Sequence, residues 1–107
     1  MKRLLTCVSF LAVALTACQP TSGDVIKIGF IGPLTGDAAA YGVDTLNGAQ
    51  LKVEEINAAG GIDGKQLKLV PEDSKCNGSD AATAVQKLTG VDKVVAIVGG
   101  SCSTERH

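Results

Sequence analysis

The chain of 107 residues is 45% hydrophobic and 20% charged, with 13 glycines, one tyrosine, two phenylalanines and no tryptophan. That balance is too apolar for a disordered chain and suits one globular α/β domain or part of one. A formal charge of −1, with the basic residues spread singly, excludes the clustered cationic face that nucleic acid requires.

Lys2 and Arg3 open the chain, and residues 4–15 follow as an almost wholly apolar run. A run of about 12 residues is too short to cross a bilayer, which takes ~20. A basic start, a short apolar run and small residues at its end make residues 1–17 a secretory signal. Its end, Leu15-Thr16-Ala17-Cys18, resembles the lipobox of bacterial lipoproteins. The resemblance implies an acylated Cys18 as the mature N-terminus, with acyl chains holding the protein at a membrane surface. The alternative is an ordinary signal cut nearby, with Cys18 incidental.

Removing the signal takes two basic residues and no acids, which leaves eight basic against eleven acidic side chains, a net of −3. It also sorts the cysteines. Cys7 leaves with the signal and Cys18 takes lipid, so Cys76 and Cys102 remain. Two thiols in an exported, oxidising setting invite a disulfide. No second His or Cys cluster supplies a metal site, and no His lies between the two cysteines to activate a thiolate.

Residues 18–24 include a polar QPTSGD stretch that serves as a tether between lipid and fold. Residues 25–31 (VIKIGFI) are β-rich and nearly continuously apolar, as a strand covered on both faces should be. Gly32-Pro33-Leu34-Thr35-Gly36 breaks the chain sharply. From 39 to 58 Val43, Leu46, Ala49 or Gln50, Val53 and Ile56 step by three and four, which predicts a helix with that stripe inward. Lys52, Glu54 and Glu55 form its solvated side, and Gly60-Gly61 ends it.

Residues 66–71 (QLKLVP) alternate as a second strand, with Pro71 marking its end or a sheet edge. Ser79 caps a second helix predicted over 80–89, with Ala81, Ala84, Val85 and Leu88 at helical spacing. Residues 93–98 (KVVAIV) read as a third strand, buried and β-branched. The order β-α-β-α-β implies an α/β fold: a three-layer parallel sheet with right-handed crossovers.

A strand, a Gly-rich turn and a helix also open nucleotide-binding folds, so a Rossmann-type enzyme fragment is a rival. Both the G-x-G-x-x-G spacing and the Walker pattern are absent. Asp73, after the second strand, stands where a ribose-binding acid would, but a strand-end or helix-approach role fits it better.

The segments KIGFIGPLTGDAAAYG and NGAQLKVEEINAAGGIDGKQLKLVPEDSKC resemble the start of periplasmic leucine/isoleucine/valine-binding proteins, which have the type I periplasmic binding fold. The match runs from about Lys27 to Thr104, and INAAGGI is its most specific part. The resemblance implies two α/β lobes closing on an amino acid, with residues 25–107 as part of the N-terminal lobe, truncated before the second. It implies a Cys76–Cys102 disulfide, a Ser103 that binds the ligand carboxylate, and Tyr41 as an aromatic wall for the ligand. Ser101 and Thr104 stand where they would assist Ser103. The implied function is the substrate-binding component of an ATP-driven importer for branched-chain or similar amino acids, without catalysis or cofactor. Its implied partners are a membrane permease and ATPase subunits, and its implied location is the periplasmic or cell-surface face. A solute-sensing lipoprotein is the second reading.

Overall fold

The structure, a computed structural model, describes residues 25–103, so the signal, Cys18, the tether and Thr104 lie outside the described residues. The described elements are β1 (Val25–Gly32), α1 (Ala39–Ala58), β2 (Gln66–Asp73), α2 (Gly78–Gly90) and β3 (Ala96–Gly99). They form one parallel sheet in the order β2-β1-β3. Pairing runs from Val25 opposite Gln66 to Gly32 opposite Asp73, and from Ile28 opposite Ala96 to Ile31 opposite Gly99.

The three layers follow from the alternation of side chains along the central strand. Ile31 packs with Ala81, Ala84 and Leu88 of α2, with Val70 and Val94 at the margin. Ile28 points the other way, toward Val53 and Ile56 of α1, Leu67 and Leu69 of β2, and Val98 of β3. Phe30 and Leu88 are wholly buried. A central strand covered on both faces is therefore what the apolar run of residues 25–31 encodes. Asn57 ties α1 to the sheet: its amide donates to Leu67 O at 2.8 Å and its oxygen accepts from Leu67 N at 2.7 Å. On the α2 side, Lys87 bridges Glu72 of β2 and Asp92 beyond the helix. These two carboxylates raise the Lys87 pKa.

Four readings of the sequence need correction. The second strand runs past Pro71 to Asp73, and of the two readings of Pro71 the sheet edge holds: among the described residues β2 pairs only with β1, and a missing N–H is tolerated there. The cap of α2 is Asn77 rather than Ser79: the Asn77 side chain accepts from Ser79 N at 2.9 Å, and the helix begins at Gly78. Val43 is exposed, and the inward stripe of α1 runs through Gly42, Leu46, Ala49 and Val53.

The third strand departs most. Lys93 takes a left-handed φ of 54°, Val94 N bonds back to Leu88 O, and β3 is only the four residues Ala96–Gly99. All four are exposed, because β3 has β1 on one side and no described element on the other. Composition marked these residues as strand-forming; burial depends on a neighbour, which composition does not report.

Candidate functional site

In a parallel sheet the strands end along one edge, and the loops that leave that edge are brought together. Here they are loop 33–38 after β1, residues 74–77 after β2, and residues 100–103 after β3. Tyr41, Ser101, Ser103 and both cysteines of the predicted set belong to these loops or to the first turn of α1.

The bend after β3 depends on Gly99. Its φ is 134°, and a Cβ there would lie 1.9 Å from Ile31 O, so only a residue without a side chain fits. Gly100 N then donates to Ile31 O at 3.1 Å, turning the chain back over the end of β1. Ser101 Oγ lies 3.7 Å from where a Cβ on Gly32 would stand, so this hydroxyl sits above the β1 terminus. Cys102 follows, bonded to Cys76 with their Cα atoms 5.5 Å apart, and Ser103 begins a 3₁₀ turn, exposed to solvent. The disulfide thus ties the bend after β3 to the loop after β2, although β1 lies between those strands.

Tyr41 reaches the same edge by a different route. Pro33 is fully buried, and α1 begins directly against it: a Cβ on Gly42 would fall 1.7 Å from Pro33 O. That close approach fixes the first turn of α1 on the loop backbone, and the neighbouring Tyr41 projects outward with 75% of its surface exposed. Tyr41 and Ser103 are both exposed, on segments that follow the carboxyl ends of β1 and β3.

Between these groups lies a clasp that sequence reasoning missed. Asp73 Oδ1 accepts from Leu34 N at 2.8 Å and from Lys75 N at 2.9 Å, while its other oxygen accepts from the Thr35 hydroxyl. Partial burial pushes the Asp73 carboxyl up, but hydrogen bonds from the Thr35 hydroxyl and the Leu34 and Lys75 N–H groups outweigh it. The pKa therefore lies below its ordinary 3.8. With both oxygens engaged inside the protein, Asp73 is a loop clamp rather than a ribose acceptor. Its position at a strand end was readable from the sequence; its partners, 38 and 39 residues away, were not.

Ser74 next to it is fully buried and continues the ladder, its N–H donating to Gly32 O at 2.9 Å. Lys75 and Cys76 both have left-handed φ, 51° and 56°, a conformation that non-glycine residues rarely adopt. No group of three or more His, Cys, Asp or Glu able to hold a metal occurs among the described residues. Among the same residues, no helix is long and apolar enough to cross a membrane.

The family model of the periplasmic binding proteins matches residues 25–107. An amino acid binding protein of Pseudomonas aeruginosa is 40% identical over 98 residues, covering 88% of this chain and 26% of that protein. The leucine-specific-binding protein of Salmonella typhimurium is 33% identical over 104 residues, covering 97% of this chain and 28% of its own. Among solved structures, a branched-chain amino acid transporter substrate-binding protein from Streptococcus pneumoniae in complex with isoleucine superimposes with a TM-score of 0.72. It shares 48% identity over 76% of this chain and 23% of that one. The chain spans about a quarter of the length of the curated relatives it matches.

Proposed function

The chain belongs to the periplasmic binding protein family, and from that membership we propose that it is the substrate-binding component of an ATP-driven importer for branched-chain or similar amino acids. The observation that carries the reading is the disulfide-tied serine bend at the carboxyl edge of a parallel sheet. The exposed Tyr41 lies in the first turn of the helix that follows the neighbouring strand β1. The names of the similar proteins, which bind leucine, isoleucine or amino acids more generally, support the choice of ligand.

In this reading the Ser103 hydroxyl donates to the ligand carboxylate, a charge-assisted bond of the stronger kind. Ser101 and Thr104 add donors, and Tyr41 covers the apolar side chain. The ligand's ammonium is met by a second lobe beyond residues 25–107, and closure follows because the closed state contacts ligand better than the open one. The component binds and delivers; it does no chemistry, and its partners are a permease and ATPase subunits. Residues 1–17 direct export, the Cys76–Cys102 disulfide forms there, and lipidated Cys18 anchors the protein on the periplasmic or cell-surface face.

Calorimetric titration of the exported two-lobe protein, with the second lobe present, against L-leucine, L-isoleucine and L-valine tests the reading. Micromolar or tighter binding of at least one is expected. Binding of none, in protein whose disulfide is intact, contradicts the assignment.

A further inference from the structure

Resting on that reading, we propose that Asp73 is a positioning residue for the ligand crevice. It clamps loop 33–38 to the end of β2 and so sets where Tyr41 stands against the Ser101–Ser103 bend.

The bland role for an aspartate here is an Asx turn, in which the side chain bonds the backbone N–H two residues on. The bond from Lys75 N is that turn. It leaves the bonds from Leu34 N and the Thr35 hydroxyl unexplained, since these arrive from another loop, 39 and 38 residues away in sequence. None of the three donors is a cation, so the carboxylate here fixes geometry rather than neutralising a charge.

The location gives that geometry its effect. Gly32 and Asp73 form the last rung of the β1–β2 ladder, and Ser74 N adds one more bond to Gly32 O. Immediately afterwards β1 leaves the sheet, and the next residues decide the direction of the loop. Pro33 carries the contact with Gly42, while Leu34 and Thr35 carry the bonds to Asp73. The aim of α1 and of Tyr41 is thus set at two points, one steric and one polar. Cys76, three residues beyond Asp73, leads through the disulfide to Cys102 and the adjacent Ser103. A single short segment, 73–76, thereby holds both the Tyr41 side and the serine side of the crevice in one register.

The test compares Asp73→Ala, Thr35→Val, Thr35→Ser and the Asp73→Ala/Thr35→Val pair in the exported protein. L-leucine affinity and amide hydrogen exchange at Leu34 are the readouts. Asp73→Ala is expected to weaken leucine binding by about tenfold or more and to speed Leu34 exchange, with Cys76–Cys102 still oxidised. Thr35→Val lowers affinity in the same direction, Thr35→Ser recovers it by restoring the donor, and the double variant is no weaker than Asp73→Ala.

Wild-type affinity in Asp73→Ala, or losses that simply add in the double variant, overturns the proposal alone. Should Asp73→Ala fail to fold, the Thr35→Val and Thr35→Ser pair decides: recovery by serine supports the clamp, and equal affinities overturn it. Absence of branched-chain amino acid binding by the wild-type protein instead overturns the functional reading, and this proposal with it.

Discussion

Ser103 and Asp73 show how differently two polar side chains at one sheet edge can act. Ser103 is exposed, and its hydroxyl makes no hydrogen bond to the other described residues, so its removal tests recognition with little effect on stability. Ser103→Ala is expected to raise the Kd for L-leucine about tenfold, the value of one hydrogen bond to a charged group, with an unchanged melting temperature. Asp73 belongs to the fold as well. Its folded-state pKa lies below that of the unfolded chain, so its contribution is fully present above the ordinary carboxylate range. That contribution is lost as pH falls through the depressed folded value. Urea midpoints measured from pH 6 downward are expected to decline below about pH 4, with a shallower decline in Asp73→Ala.

Helix α1 is held by two contacts that a periodicity argument cannot see. The spacing of Leu46, Val53 and Ile56 shows that a helix exists and roughly which side is inward. It misassigned Val43 because Gly42, the residue that touches Pro33, has no apolar side chain to count. Gly42→Ala is expected to destabilise the protein by about 1–3 kcal/mol in thermal unfolding, because the added methyl meets backbone rather than a side chain that can move. At the other end, Asn57→Ala leaves both polar groups of Leu67 unmatched and is expected to cost about 1–3 kcal/mol by the same measurement. Caps and strand limits were the least legible parts of the sequence for a related reason. Asn77 and Ser79 both have capping chemistry, and only backbone geometry selects Asn77. Likewise Lys93 bends left-handed inside a run whose composition reads as strand.

For the whole molecule, the element order, the parallel sheet and its helix layers were legible from apolar periodicity, glycine breaks and the β-α-β alternation, whereas the strand order β2-β1-β3 was not. The site was legible only in part. Tyr41, Ser101, Ser103 and the two cysteines could be brought to one edge from topology and family resemblance, whereas the Asp73 clamp joins residues too far apart for spacing to reveal. The exposed Ile97 and Val98 of β3, with Val95 just before it, mark a sheet whose outer side has no described cover. On the two-lobe reading, residues 18–107 alone are expected to show no micromolar L-leucine binding by calorimetry. The staple across the site also contributes at this scale. With its ends 26 positions apart in sequence, replacing both cysteines by serine is expected to cost about 3–4 kcal/mol in denaturant unfolding.

The central claim is that an amino acid is held against the bend after β3 and the first turn of α1. Amide NMR of the exported, isotope-labelled protein during titration with L-leucine tests it most directly. Saturable shifts at Tyr41, Ser101 and Ser103, following one binding curve, are predicted. Saturation by leucine with those three amides unmoved would contradict the account.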